Sequence, residues 1–228
     1  MASEFDQYAS DYEAMQKDPL RHSFSQDGTF FIARKWLLIR SYFAALGRDL
    51  SKISWLDIGC GKGELLRLGA PDVASITGCD VSTEMLKLCE DIDSRPMTHP
   101  ERLPFPDASF DLLTAVCVYH HVPPDGRAGL TREAARVLRP GGVFAIIEHN
   151  PLNPGTRLIV NRLPMDRHAI LLGSWETRRL LRAAGFDGLE TTYFLYLPEK
   201  PFRIFGGLET VLKRVPLGGQ YAVFGRRQ

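Results

Sequence analysis

Three glycines at alternate positions follow an acid in Asp57-Ile58-Gly59-Cys60-Gly61-Lys62-Gly63. Glycine reaches φ > 0 freely and has no side chain to hold a ligand away, so this spacing fits a sharp turn with accessible main chain. Further along, two histidines stand together at His120-His121, and Glu148-His149 sets an acid beside a third. Imidazole titrates near neutral pH, so these groups suit proton transfer with a bound acceptor. The four cysteines, Cys60, Cys79, Cys89 and Cys117, form no C-x-x-C pair and mostly sit in apolar runs. They read as reduced core residues, and no metal framework is expected.

The elements that position these groups can be read in turn. An apolar, β-branched lead-in from Ile53 to Ile58 reads as a buried strand, and Glu64-Leu65-Leu66 opens a helix. The glycine turn thus leads into a helix N-terminus, whose free N–H groups point toward a nucleotide-like ligand. The bland alternative is a strand-to-helix turn that binds nothing. The dinucleotide pattern G-x-G-x-x-G fails because Glu64 takes its third glycine position, which disfavours a nicotinamide-dependent oxidoreductase. No G-x-x-x-x-G-K-[ST] is present, so a P-loop is excluded.

A second strand, Ala74 to Asp80, ends in an acid 17 residues beyond Gly63. That is close to the ~20 expected of a carboxylate that hydrogen-bonds ribose hydroxyls. Ser82 serves as N-cap of the next helix, which leaves Asp80 for a ligand. This helix carries Met85, Leu88, Cys89 and Ile92 on one buried face, with Met85 close enough to its start to pack on a nucleoside.

A short third strand follows at Arg95 to Thr98, and Phe110 to Val118 is an apolar run of the kind buried on both faces of a parallel sheet. Ligands of open α/β sheets bind beyond the carboxyl ends of strands, which puts His120-His121 at the site. The fifth strand, Val143 to Ile147, delivers Glu148-His149 to the neighbouring end. An amphipathic helix from Trp175 to Ala184 closes at Gly185. Strands from Leu189 to Leu197 and Gln220 to Phe224 complete a set of seven, separated by Pro- and Gly-rich sequence. Before the first strand, Phe5, Tyr8 and Tyr12 recur at roughly helical spacing, the Pro19 to Gly28 region breaks that pattern, and a helix runs from Phe30 to Leu46.

The acid-G-x-G-x-G stretch resembles the first motif of class I S-adenosylmethionine-dependent methyltransferases. Leu103-Pro104-Phe105-Pro106-Asp107-Ala108-Ser109-Phe110-Asp111 and the turn Leu138-Arg139-Pro140-Gly141-Gly142 resemble the group called type 11. The likeness is strong over residues 53–148. It implies a Rossmann-like α/β fold, a seven-stranded sheet in the order 3-2-1-4-5-7-6 with helices on both faces. A single methyltransferase domain over 1–228 would comprise a helical cap (1–50), a cofactor-binding half (51–150) and a substrate-side lid with C-terminal strands (151–228).

The resemblance also implies S-adenosylmethionine as cofactor, with S-adenosylhomocysteine as product. Asp57, Gly59, Gly61, Gly63, Asp80, Val81, Met85 and Cys117 are the expected cofactor contacts, joined by Tyr8 from the cap. Tyr8 and Tyr12 either face the ligand or pack on the sheet. Type 11 enzymes usually carry Asp-Ala-Glu, with the Asp on the adenine amino group; here His99-Pro100-Glu101 stands instead. Main chain around Glu101 and Arg102 is then the expected rest for adenine.

Methyl transfer from a sulfonium is chiefly a matter of proximity and orientation, with a base needed where the acceptor is a hydroxyl or ammonium. His120 and His121 are the first candidates for that base, and adjacent side chains in extended backbone point opposite ways, so one of the two reaches the acceptor. Glu148 and His149 form the second set, Glu148 either binding a hydroxyl or amine of the acceptor or orienting a histidine; the alternative is that the histidines make structural hydrogen bonds. The expected acceptor is a small molecule methylated at oxygen or nitrogen. Aromatic residues in the cap suit an apolar one, whereas Arg157, Arg162, Arg167 and His168 in the loop-rich segment 150–172 suit an acidic one, if that segment is a lid rather than a solvated loop. A second reading is a methyltransferase-fold protein that binds the nucleoside without transferring methyl.

The formal charge of +1 gives no general attraction to nucleic acid or membrane. The acidic start Met1-Ala2-Ser3-Glu4-Phe5-Asp6 lacks a signal-peptide core. No run approaches the ~20 apolar residues that span a bilayer. A cytoplasmic protein of small-molecule biosynthesis is expected, without a nucleic-acid or membrane partner, and monomer against homodimer stays open.

Overall fold

Apolar runs that alternate sides build the sheet. In the computed structural model, which describes residues 5–6, 18–26 and 28–228, the first strand β1 covers Ser54–Ile58. Leu56 and Ile58 pack into one core and Trp55 into the other, as the period of two requires. The remaining strands are β2 (Ser75–Asp80), β3 (Asp93–Pro96), β4 (Phe110–Val116), β5 (Leu138–His149), β6 (Phe186–Phe194) and β7 (Gln220–Arg227). They form one sheet in the order β3-β2-β1-β4-β5-β7-β6, the order implied by the resemblance. Strands β1 to β5 pair in parallel, and β7 runs antiparallel between β5 and β6.

Helices cover both faces. They are α1 (Pro19–Phe24), α2 (Thr29–Ala45), α3 (Glu64–Gly69), α4 (Thr83–Leu86), α5 (Arg127–Val137), α6 (Pro154–Val160), α7 (Ser174–Ala183), α8 (Glu199–Phe205) and α9 (Gly207–Leu212). Helix α2 lays Trp36, Ile39 and Phe43 on the sheet, with Trp36 stacked on Trp55 at 4.9 Å between ring centroids. Each such side chain contributes roughly 1.5–3 kcal/mol by leaving water. On the other face, Leu130, Ala134 and Val137 of α5 pack against Leu113 and Phe144. Among the described residues no helix is long and apolar enough to cross a membrane.

Several local readings are corrected. Leu88 is 49 % exposed, off the face that Met85, Cys89 and Ile92 share. The cause is a 3-10 segment at Lys87–Cys89, whose three residues per turn rotate Leu88 outward. Pro19 starts α1 instead of breaking a helix, because Asp18 accepts the N–H groups of Leu20 and Arg21 and proline suits the first turn. The same device, Asn153 before Pro154, starts α6 inside the stretch read as loop. Helices α8 and α9 occupy sequence read as Pro- and Gly-rich spacer. Buried Glu209 of α9 holds them by accepting the N–H groups of Tyr196 and Leu197 and pairing with Arg34.

Candidate active site

The turn after β1 has Gly59, Gly61 and Gly63 at φ values of 68°, 53° and 77°. A Cβ on Gly59 would lie 2.5 Å from Val118 Cγ2, and one on Gly63 would lie 2.4 Å from Ile92 Cδ1. Packing therefore demands the outer two glycines. At Gly61 no atom lies within 4 Å of the added carbon, although the residue lines the principal cavity. That gap at the cavity wall is what a ligand resting on main chain requires.

Asp80, at the end of β2, accepts the Gly61 N–H at 2.8 Å on one oxygen and the Ser82 N–H at 2.8 Å on the other. Burial pushes its carboxyl upward, opposed by the N–H groups of Ser82, Gly61 and Val81. A carboxylate has about four acceptor positions, more than these N–H groups take up, so acceptor capacity remains for a ligand hydroxyl. Ser82 caps α4 by accepting the Met85 N–H. Asp57 sits below the turn and accepts from Thr114 Oγ1 at 2.5 Å. Burial raises it to about 7 against the pull of Thr114; Asp80 adds to the rise and Lys35 opposes it.

The histidines gather where β4 and β5 end. Glu148 is fully buried and accepts the N–H groups of Val118 and Tyr119 on one oxygen, at 2.9 and 2.7 Å. Its other oxygen lies 2.5 Å from His120 Nδ1. Beyond the ring, His120 Nε2 lies 3.4 Å from Asp166 Oδ1 without a hydrogen bond, and His121 Nε2 lies 3.4 Å from the same oxygen. Burial opposes charge on His120, but Glu148 and Asp166 outweigh it and lift the imidazole to about 10. Burial holds His121 below its usual value, partly offset by Asp166 and reinforced by the charge on His120. Burial and the same charge push His149 down to about 4.

Arg127 fixes this loop. Buried at the start of α5, it donates to the carbonyls of Tyr119, Val122 and Ile170 and pairs with Glu176 at 2.8 Å. The Ile170 N–H in turn donates to the His120 carbonyl. The segment from α6 to Ile170 is thus tied to the histidine loop. One cavity of about 550 Å³ runs from the glycine turn to this cluster, walled on its far side by Phe24, Phe31, Ile159, Leu163 and Met165.

Residues 56–146 match the family described as a methyltransferase domain. The chain is 39% identical over 101 residues to a 27-O-demethylrifamycin SV methyltransferase of Amycolatopsis mediterranei, covering 40% of this chain and 36% of that protein. It is 30% identical over 161 residues to a ubiquinone biosynthesis O-methyltransferase of Paracidovorax citrulli, covering 63% of this chain and 67% of that one. The chain belongs to the class I S-adenosylmethionine-dependent methyltransferases. The fold agrees: a methyltransferase structure from Archaeoglobus fulgidus superposes with a TM-score of 0.63 at 19% identity, covering 88% of this chain and all of that one.

Within this methyltransferase, Asp57, Gly59, Gly61, Asp80, Val81, Met85 and Cys117 line the cavity, and Gly63 closes the turn behind them. The open wall at Gly61 and the spare acceptor positions of Asp80 fit the family cofactor, S-adenosylmethionine. Glu101 and Arg102 do not line the cavity, contrary to the adenine rest read from the sequence. Exposed His99 takes the Glu101 N–H at 3.2 Å, and the Glu101 carboxylate lies over Gly126 and Gly129 beside the start of α5. Met97 and Pro100 stand at the cavity in their place. Tyr8 and Tyr12 lie outside the described residues.

Among the candidates, His120 is raised well above its usual value by its carboxylate neighbours, and Glu148 orients it, one of the two roles read for that acid from the sequence. His121 and His149 remain at the wall. Sequence reading missed Lys35, Asp166 and Gln220, which also line the cavity. Pro164-Met165-Asp166 is an Asp in a proline turn within a basic stretch, and nothing at that spacing ties it to His120. Lys35 gives no signal beyond a charge on the inner face of α2. The basic residues Arg157, Arg162, Arg167 and His168 all point outward, while their apolar neighbours face the cavity.

Proposed function

We propose that this methyltransferase moves a methyl group from S-adenosylmethionine to a small, mostly apolar acceptor that presents one oxygen or nitrogen to the His121–Asp166 end of the cavity. The observation that carries this reading is continuity: one cavity joins the glycine turn to the histidine cluster, with apolar side chains around the acceptor half. S-adenosylmethionine supplies a sulfonium methyl that is already electrophilic. The chain's own task is therefore to hold the partners in line and manage one proton.

Asp80 and the main chain of the turn hold the nucleoside, with Val81, Met85 and Cys117 beside them. Phe31, Leu163 and Met165 bury the acceptor's apolar body. His121 meets its polar group, Asp166 orients that ring, and His120 with Glu148 fixes the loop that carries both. The outward basic residues remove the argument for an acidic acceptor. The relative named for ubiquinone biosynthesis is an O-methyltransferase, which favours oxygen over nitrogen.

Protein mixed with methyl-labelled donor and a panel of apolar phenols, alcohols and amines, with hydrophilic acids as controls, tests the proposal. Mass spectrometry should find label on the oxygen of an apolar acceptor. Label on hydrophilic acids alone would overturn the acceptor class. Tight S-adenosylhomocysteine binding with no transfer across the panel would favour the reading as a non-transferring nucleoside binder.

A further inference from the structure

Among the described residues, His120, His121 and Asp166 bring one donor atom each to within 4.8 Å of one another. Both Asp166-to-histidine separations are 3.4 Å. Ligands about 2.0–2.2 Å from a common ion stand roughly 3.0–3.4 Å apart in octahedral or tetrahedral geometry, so these pairs are already at coordinating distance. We propose that this trio is a divalent metal site of the two-histidine, one-carboxylate type, open toward the acceptor half of the cavity.

A second observation points the same way. His120 is 1 % exposed, and its Nε2 is a buried nitrogen without a hydrogen-bond partner. Its near neighbour is the Asp166 carboxylate at 3.4 Å, and a divalent ion seated between the two would displace the imidazole proton that faces Asp166. Its other nitrogen, Nδ1, is held by Glu148 at 2.5 Å. A carboxylate on the far nitrogen is the usual support for a metal-bound imidazole, because it fixes the ring and raises its basicity. Glu148 is itself immobilised by two main-chain N–H groups, and the Asp166 loop is pinned through the Ile170 N–H to the His120 carbonyl. Three ligands arrive from two tied segments, and the remaining positions face the cavity.

The donor set selects the ion. Two imidazoles and one carboxylate suit Zn²⁺, Fe²⁺ or Mn²⁺, whereas Mg²⁺ and Ca²⁺ favour all-oxygen shells. An acceptor oxygen in an open position would be oriented toward the donor half and made more acidic. That role rests on the function proposed above, with the ion in place of the His121 imidazole as the group that meets the acceptor; ion binding itself does not.

The protein stripped with a chelator is titrated with Zn²⁺ by calorimetry and with Mn²⁺ by electron paramagnetic resonance, each with S-adenosylhomocysteine binding measured in parallel. One ion should bind per chain. Glu148→Gln should weaken it about 10- to 100-fold, Asp166→Asn and His121→Ala at least as much, and exposed His168→Ala should leave it unchanged. Asp166→Asn that still binds S-adenosylhomocysteine is folded, so unchanged ion affinity in it overturns the site, as does the lack of a stoichiometric ion in the parent. Ion binding without S-adenosylhomocysteine binding would sink the proposed function and leave this site standing.

Discussion

Replacing Asp80 by Asn separates what its carboxylate does for the turn from what it does for a ligand. In the protein each oxygen accepts one main-chain N–H at 2.8 Å, from Gly61 and from Ser82. Asparagine keeps one oxygen and turns an amide donor toward the other N–H. One turn donor then loses its acceptor, which costs about 1–3 kcal/mol. For a chain of this size that lowers Tm by roughly 2–4 °C per kcal/mol. Relief of a buried charge already pushed upward by its surroundings offsets part of this loss. On the ligand side, a carboxylate bridging the two ribose hydroxyls makes charge-assisted bonds worth roughly 1.5–3 kcal/mol each. Losing one weakens S-adenosylhomocysteine binding about 10- to 150-fold. Calorimetric titration and thermal unfolding read the two effects separately. A 2′,3′-dideoxy analogue provides the control, because it should bind parent and variant alike. If S-adenosylhomocysteine affinity stays within about twofold while Tm falls, Asp80 serves the turn alone and the ribose role is refuted.

Three other outcomes follow from the same geometry. Gly61→Ala should lose about 1–2 kcal/mol for a left-handed alanine, and Gly59→Ala about 1–3 kcal/mol more for the overlap with Val118; equal losses in urea unfolding would show that the turn relaxes. Asp57, raised to about 7 when folded, keeps a proton that the unfolded chain releases near pH 4, so stability falls as pH rises between those values and levels off above. The loss is up to about 1.4 kcal/mol per pH unit, with Asp80 and Lys35 the charged neighbours, and Asp57→Asn should flatten the slope; an unchanged slope rejects the assignment. Combined Arg157→Ala, Arg162→Ala and Arg167→Ala should leave acceptor KM within about twofold, because these side chains point away from the cavity; a large rise in KM would restore the acidic acceptor.

The cofactor half was legible because its chemistry is carried by backbone. Alternate glycines and an acid after the next strand are local patterns, and the strands they bracket are apolar runs with no competing period. The acceptor half was not. His120 and His121 were found by residue type, yet their different roles depend on Glu148 and Asp166, which reach them only through the sheet and the segment from α6 to Ile170. Glu101 looked like a cofactor neighbour by position, but the missing side chains at Gly126 and Gly129 let it swing over α5. The Pro19 region reads as a break, and Asn153-Pro154 as part of a loop, when proline is weighed before the capping side chain ahead of it.

The segment from α6 to Ile170 and the core are joined in a way that, under the proposed function, bears on how acceptor choice can vary. Arg127 ties the histidine loop, Ile170 and α7 together from one buried guanidinium. Asn150 does the same on the other side, donating to the carbonyls of Pro216 and Gly218 at 3.1 and 2.8 Å. These clamps act on backbone, so they hold the loops in place whatever side chains the loops present. Ile159, Leu163 and Met165 can therefore change size or polarity while His121 and Asp166 keep their positions. Removing either clamp would leave buried polar groups without partners and move the reactive end with the wall. Under the proposed function, acceptor shape and methyl-transfer geometry are thus set by different parts of the same segment, the first by its inward side chains and the second by its pinned main chain.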